Sequence, residues 1–459
     1  MKPVSMDLNG KRVLVVGLGK SGVASALFLK AHGAKVSVSD TKSGDELRNE
    51  IPVLLDHGIT VETGGHGERT FRGQDWIVVS PGVPVDAPPL VQARALGEPV
   101  IGEIELAAQF LPGPIVAITG SNGKTTTTTL AGEIMTAGGF SALVGGNIGT
   151  PAISLAERAQ PDTVIVLEVS SFQLETIQTF RPKVAVVLNV TPDHLDRHRT
   201  FEIYTNAKAR IFENQQGSDF AVLNADDPTC VAMAAKTRAQ VYWFSRQKEV
   251  ERGAWVRDGN IVFRDGKGQR EVLQVSEIPL KGAHNLENVL AAVCAGALMG
   301  CSAEKIREAV HAFKAVEHRL EFVATVSGVD YYNDSKATNV DATIKALESF
   351  PANIHLILGG KDKGSDYTVL NDLLRKRVKR VYTIGAAAAK IESQIKGPEV
   401  VHAETLENAV RKANAVAAPG DVVLLAPACA SFDQFKSYEH RGKVFKELVK
   451  GLAQSSAGG

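Results

Sequence analysis

The segment IVAITGSNGKTTTTT runs an apolar strand directly into Gly120-Ser121-Asn122-Gly123-Lys124-Thr125-Thr126. Glycines at such a turn free backbone amides to surround phosphate oxygens, the lysine adds charge at the β and γ phosphates, and the threonine hydroxyl can ligate magnesium. ATP or GTP binding follows from that pattern. Ile118 stands where the longer GxxxxGK[ST] loop has its first glycine, which argues against an ordinary kinase or GTPase. A merely structural turn accounts poorly for GKTTTTT, because consecutive β-branched threonines form helix reluctantly. Glu168 closes the run TVIVLE, where a nucleotide-binding sheet presents an acidic residue to the magnesium shell. His194 lies in TPDHLDRH, after the strand KVAVVLNV, at the end of the sheet where open α/β folds bind ligands. Taken singly, Glu168 reads equally as a surface carboxylate and His194 as a solvated loop residue. Their expected emergence beside the phosphate loop favours the functional reading.

A second glycine motif, GLGKSG, sets Gly17, Gly19 and Gly22 directly after the strand RVLVV, with Asp40 closing the next strand 18 residues past Gly22. This spacing suits a phosphate at a helix N-terminus and a carboxylate on ribose hydroxyls, and read alone it points to an NAD-dependent oxidoreductase. It specifies a bound nucleotide better than it specifies a nicotinamide. Ser80-Pro81-Gly82 offers another phosphate-facing turn after the strand DWIVVS.

Short Val/Ile/Leu runs alternating with Ala-rich helical stretches must position these loops, and that punctuation is α/β. The runs at 12–16, 35–39 and 75–80 form one unit, those at 115–119, 163–168, 183–190 and 220–224 a second, and those at 353–360, 380–385 and 421–428 a third. The reading is three domains: a Rossmann-like domain over 1–102, a central P-loop ATPase-like, mostly parallel sheet over 103–315, and a Rossmann-like domain over 316–459. The stretch 240–280, with DGN and DGKGQ turns, reads as antiparallel hairpins decorating the second. RKRVKR at 375–380 reads as a solvated helix end entering a strand.

A length of 459 residues agrees with about three domains. Fifty-one basic side chains balance 51 acidic ones, so no global field attracts nucleic acid or an anionic membrane surface. Cys230, Cys294, Cys301 and Cys429 show no metal spacing, which fits a reducing cytoplasm. The start MKPVSMDLNGK lacks a signal-peptide stretch, and no apolar run approaches the roughly 18 residues of a membrane span.

The segments TGSNGKTTTT, LEVSSFQLE, LNVTPDHLDRH, AKAR with Lys208, KGAHNLEN, HRLE, NDSKATN and APACASFDQF follow one another along nearly the whole chain. In that order they resemble the Mur ligase family, and SSFQLE, NDSKATN and PACASFDQF are similar to the members that add D-glutamate. The resemblance implies an ATP-dependent amide ligase of peptidoglycan synthesis, monomeric, acting on UDP-N-acetylmuramoyl-L-alanine and D-glutamate through an acyl phosphate with two Mg²⁺ ions. It implies catalytic roles for Lys124, His194 and Lys208, with Lys208 carbamylated and joining Thr125, Glu168 and His194 around the metal. ATP would be held by residues 120–126, with Asn288 at the adenine and Arg319 and Asp334 at its phosphates and ribose. Lys20, Ser21, Asp40, Thr41, Lys42, Ser80 and Gly82 would surround UDP, and Asn147, Ser170 and Gln173 would meet the sugar or its phosphates. Thr338, Lys363, Ser431 and Tyr438 would seat D-glutamate.

Without the resemblance, Lys208 reads as a surface lysine, Asn288 as a helix-surface amide and Arg319 as a surface cation. Two positions depart from the family pattern. Lys42 stands where arginine is frequent, losing bidentate geometry, and Tyr438 stands where phenylalanine is common. Two further readings compete. A nucleotide-gated binding module would hydrolyse ATP without amino-acid stimulation, and a folylpolyglutamate-type ligase would not need the GLGKSG domain.

Overall fold

Strands of Val, Ile and Leu that are apolar at consecutive positions can be stable only when both faces are covered, and parallel sheets flanked by helices supply that cover. Val13, Leu14, Val15 and Val16 are each fully buried, as are Val164 to Leu167 within a percent or so of exposure. The computed structural model describes residues 6–457 apart from 68, 281, 315 and 316, so the domain boundary expected at 315 lies outside the described residues. The chain forms three sheets and divides into two compact units, Met1–Val275 with Glu287–Ala312, and Ser276–Leu286 with Phe313–Gly459.

In the first unit, Thr60–Glu62, Lys35–Ser39, Arg12–Val16, Trp76–Val79 and Val100–Gly102 lie in that spatial order, all parallel. The order reverses between Arg12–Val16 and Trp76–Val79, which opens a crevice at their carboxyl ends. The second sheet has nine strands. Its parallel core runs Gln240–Ser245, Phe220–Asn224, Val184–Val187, Ile115–Thr119, Val164–Glu168 and Ala142–Gly146, with the same reversal at Ile115–Thr119. The segment expected to form hairpins differs at its start. Gln240–Ser245 pairs in parallel with Phe220–Asn224, because the helix Pro228–Met233 makes a crossover, and it pairs in parallel with Gly253–Arg257 too. Only Gly253–Arg257, Asn260–Asp265 and Gly268–Gln274 are mutually antiparallel.

Two carboxylates on one helix join these sheets. Glu103–Phe110 follows the strand Val100–Gly102, and its Glu105, 2% exposed, accepts from the backbone N–H groups of Gln178, Thr179 and Phe180 at 2.8, 2.8 and 2.9 Å. Thr179 Oγ1 adds a fourth bond at 2.5 Å. Glu103 accepts from Ile153 N at 2.9 Å. Burial pushes its carboxyl up to about 7, opposed by that amide and by the Gln173 side chain.

The second unit holds Glu321–Val326, Val329–Asn333, Val422–Leu425, Ile354–Gly359, Val378–Ile384 and Glu399–Glu404 in spatial order, parallel except for the first pair. The opening hairpin and the strand 399–404 extend the sequence reading. The hairpin turns through Ser327 and Gly328 with φ of 51° and 80°, the paired left-handed conformation of a tight two-residue turn. RKRVKR behaves as expected, ending the helix Asn371–Arg377 and opening Val378–Ile384.

Glu105→Ala leaves three backbone amides without their acceptor, that of Phe180 buried, and thermal unfolding should show the midpoint lowered by several degrees. Glu103 acts in the opposite sense. The folded chain keeps its proton up to about pH 7 while the ordinary value is 4.5, so this group's contribution to stability falls as pH rises between them. Glu103→Gln should therefore raise the midpoint at pH 8 and change it little at pH 5, and equal shifts at both pH values would refute the assignment.

Candidate active site

The strand Ile115–Thr119 delivers the chain to the phosphate loop, and the helix Lys124–Ala137 carries it away. Gly123 begins that helix at φ 84°, and a Cβ there would lie 2.1 Å from Asn288 Oδ1. Only glycine permits both the turn and that approach. Asn288 is 4% exposed, so its reading as a helix-surface amide is corrected: it packs under the loop. A residue the sequence reading missed, Asn189, clamps the loop from the next strand end. Its Oδ1 accepts from Asn122 N at 2.8 Å and its Nδ2 donates to Asn122 O at 3.2 Å, while Ser121 N donates to Asn189 O at 2.9 Å. An asparagine just past the strand KVAVVL was the available signal. Ser121 Oγ contacts Thr191 O and the Tyr204 hydroxyl at 2.9 and 3.0 Å.

Lys124 Nζ donates to Gly120 O and Ser121 O at 2.8 and 2.9 Å. Lys208, on the helix Phe201–Ala209, donates to the same Gly120 O at 2.9 Å. It is 1% exposed with its amine 4.5 Å from the Tyr204 ring centroid, so the surface-lysine reading is also corrected. Burial, and after it the charge of Lys124, holds the Lys208 ammonium well below its ordinary pKa.

Glu168, 3% exposed, accepts from Thr125 Oγ1 at 2.7 Å and from Asn147 Nδ2 at 2.9 Å. Asn147, expected at the sugar and still assigned there with Ser170 and Gln173, also steadies this carboxylate. His194 has φ 54°, a left-handed conformation that costs a non-glycine residue of order 1 kcal/mol or more. Asp193 Oδ1 accepts from its N–H at 2.9 Å, and its ring lies 5.0 Å from that of Phe172. Hard oxygen donors on Thr125 and Glu168, near a buried lysine whose ammonium is disfavoured, fit a magnesium site. A separate trio, Glu317, His318 and Glu321, also has metal-ligand spacing, but Lys446 Nζ pairs with both its carboxylates at 2.5 and 2.9 Å.

At the crevice of the first sheet, Ser80 Oγ donates to Gly17 O at 2.7 Å. Asp40 accepts from Leu18 N at 2.6 Å and Lys42 N at 2.8 Å, so it fixes the glycine turn and its own loop together. Lys20 and Ser21 open the helix Lys20–Ala31, and Thr41 and Lys42 are exposed on the neighbouring loop. Ser170 and Gln173 form a capping box, with Ser170 N donating to Gln173 Oε1 at 2.9 Å and Gln173 N to Ser170 Oγ at 3.3 Å. Arg197, which the sequence reading passed over, ties these parts together. It donates to Gly82 O, Val83 O and Glu175 Oε2 at 3.3, 2.9 and 3.2 Å and lies over the Phe172 ring. Its neighbour His198 is buried, and desolvation pushes its imidazole down to about 4.

The second unit sets its candidates on the loops at one edge of its sheet. Asp334 follows Val329–Asn333 and accepts from Leu320 N at 3.2 Å. Desolvation pushes its carboxyl up to about 6, with the Arg319 charge pulling the other way. Thr338 lies four residues beyond Asp334, Lys363 follows Ile354–Gly359, and Ser431 follows Val422–Leu425. Tyr438 opens the helix Tyr438–Ala457, and its carbonyl accepts from Ser335 Oγ at 2.9 Å.

Family models match three stretches of the chain. Residues 11–102 match the MurD-like N-terminal domain of Mur ligases, 118–296 the Mur ligase middle domain, and 318–429 the Mur ligase glutamate ligase domain. A UDP-N-acetylmuramoylalanine–D-glutamate ligase of Koribacter versatilis is 70% identical over 98% of this chain and 99% of its own. Another from Acidobacterium capsulatum is 60% identical over 97% of each. In fold, the MurF ligase of Thermotoga maritima, solved in complex with ADP, superposes with a TM-score of 0.61 at 18% identity, covering 99% of this chain and 97% of that one. The phosphate loop, the acidic strand end beside it and near-complete identity coverage agree, and the chain belongs to the Mur ligase family.

Proposed function

We propose that this chain joins D-glutamate to UDP-N-acetylmuramoyl-L-alanine with cleavage of ATP, a step of peptidoglycan precursor synthesis on which cell shape and division depend. The observation that carries the reaction class is the convergence of the phosphate loop, Glu168 and the buried Lys208 at one sheet edge. Identity of 70% to a ligase named for D-glutamate supports the choice of amino acid.

The chemistry must bring a carboxylate against a triphosphate. One alanyl carboxylate oxygen attacks the γ-phosphorus while the bond to the ADP oxygen breaks, giving an acyl phosphate. The unprotonated D-glutamate nitrogen then attacks the acyl carbon, and phosphate leaves as the nitrogen loses its proton. The amides of 123–125 and the Lys124 ammonium offset the phosphate charge and hold the γ-phosphoryl group in line. Magnesium, when bound, supplies Lewis-acid charge on phosphoryl oxygens, with Thr125, Glu168 and His194 as its holders at one site and Lys208 as a carbamate at a second. Only a neutral amine adds to carbon dioxide, and burial shifts Lys208 toward that form. Carbamylation turns the amine into a carboxylate, the hard donor such an ion prefers.

Asn288 is assigned to the adenine, and Arg319 and Asp334 to the ATP phosphates and ribose. Lys20, Ser21, Asp40, Thr41, Lys42, Ser80 and Gly82 are assigned to UDP, with Asn147, Ser170 and Gln173 at the sugar and its phosphates. Thr338, Lys363, Ser431 and Tyr438 are assigned to D-glutamate. The division 1–102, 103–315 and 316–459 gives each substrate one domain. All four cysteines are unpaired and buried, which suits a monomer working in the reducing cytoplasm. Among the described residues no helix is long and apolar enough to cross a membrane.

ADP release from ATP and UDP-N-acetylmuramoyl-L-alanine should be stimulated by D-glutamate and not by L-glutamate, lysine or diaminopimelate; stimulation by one of the others alone would overturn the substrate assignment. Lys208→Ala should lower kcat by about 100-fold or more, with partial recovery on adding a short carboxylic acid such as acetate. Full activity of that variant would remove Lys208 from the mechanism. Asn189→Ala, which unclamps the phosphate loop, should raise the KM for ATP about tenfold in initial-rate measurements.

A further inference from the structure

The first turn of the last helix carries a charge that the reaction scheme does not use. Arg441 is fully buried, and its guanidinium makes four hydrogen bonds, all to neutral oxygens. Nε donates to Ser335 Oγ at 2.9 Å, Nη2 to Ser335 O at 2.8 Å and Cys429 O at 3.1 Å, and Nη1 to Ala430 O at 3.4 Å. Among the described residues no carboxylate lies within 4.0 Å of it. A buried cation without a carboxylate is costly unless every donor is satisfied, so its presence needs a reason.

Its partners supply one. Ser335 belongs to the loop after Val329–Asn333, and Cys429 and Ala430 to the loop after Val422–Leu425. Ala430 exchanges backbone hydrogen bonds with Lys361, in the loop after Ile354–Gly359, at 2.8 and 3.1 Å. These three strands are neighbours in the sheet. Their loops carry Thr338, Ser431 and Lys363, and the helix of Arg441 itself begins at Tyr438, whose carbonyl Ser335 Oγ also holds. A Cβ on Gly360 would come within 3.2 Å of Arg441 Nη1, so the third loop packs against the same guanidinium. Ala428, directly before Cys429, has φ 56°, so this loop follows a backbone path that an L residue adopts only when held.

We propose that Arg441 is the positioning residue of the amino-acid seat, its planar fork fixing the spacing of the three loops and its charge, felt by Asp433 but bonded to no carboxylate among the described residues, favouring a ligand with two carboxylates. This rests on the assignment of D-glutamate to these loops. Lysine cannot replace the fork, because a single ammonium reaches fewer of the carbonyls, whereas it retains the charge. Burial pushes the guanidinium down to about 10, so it remains a cation throughout the working pH range.

The test is initial-rate kinetics of the whole enzyme, with thermal unfolding as a check on folding. Arg441→Met should raise the KM for the amino acid about 30-fold while those for ATP and the UDP-sugar stay within about threefold, and Arg441→Lys should fall between. If Arg441→Met does not fold, Ser335→Ala, which removes the hydroxyl that Nε meets, should raise the amino-acid KM alone by about threefold to tenfold. An unchanged amino-acid KM in a folded variant, or equal rises in all three constants, overturns the proposal. A wild type stimulated by another amino acid and not by D-glutamate overturns the substrate assignment instead, and the Arg441 comparison is then read on that amino acid.

Discussion

Two lysine amines meet one carbonyl oxygen, Gly120 O, at 2.8 and 2.9 Å, and two ammonium groups so close cannot both keep their protons at no cost. Lys124 is the more exposed of the pair and Lys208 is buried against Tyr204, so desolvation and the neighbouring charge weigh on the Lys208 ammonium. Much of the site depends on that division. In the proposed mechanism Lys124 serves the phosphates as a cation, while Lys208, its ammonium disfavoured by burial, is the amine that becomes a carbamate. One carbonyl at the end of one strand thus receives two residues of the same type in different surroundings.

The chain as a whole carries no net charge, yet the proposed substrates are all anions. Positive potential must therefore come from local features, and the fold provides them in the same way three times. Each sheet reverses or interleaves its strand order, and the loops with the candidate residues leave the carboxyl ends of adjacent parallel strands. Backbone amides at such ends carry partial positive charge that needs no counter-ion, as at the start of the helix Lys124–Ala137. Where amides do not suffice, single cations are embedded: Lys124 in the central sheet and Arg441 in the third.

The parts legible in the sequence were those with a local cause. Glycine turns after apolar strands announce the loops, and strand alternation announces the three sheets. What the sequence hid depends on contacts made across the chain. The pairing of Asn189 with Asn122 spans 67 residues, and that of Glu105 with Phe180 spans 75. Neither asparagine nor glutamate carries a signal distinguishing such a bond from solvation. Lys208 and Asn288 read as surface residues for the same reason, since a helix-borne polar side chain reveals its burial only once its neighbours are known. The Ser327-Gly328 hairpin was legible in principle, but its strands are polar on one face and lack the continuous apolar runs that marked the others.

Polar bonds between the first two sheets also explain why their loops can act as one surface. Glu105 holds 178–180, a few residues past the capping box of Ser170 and Gln173, while Arg197 carries the His194 loop onto the carbonyls of Gly82 and Val83. Apolar packing alone would allow two sheets to slide, because contact between alkyl groups is nearly non-directional. Directional hydrogen bonds to backbone groups favour one register. The loops at 82–83 and 178–180 and the phosphate loop are therefore tied to one another without a ligand, which is the condition that the proposed in-line attack by a carboxylate requires.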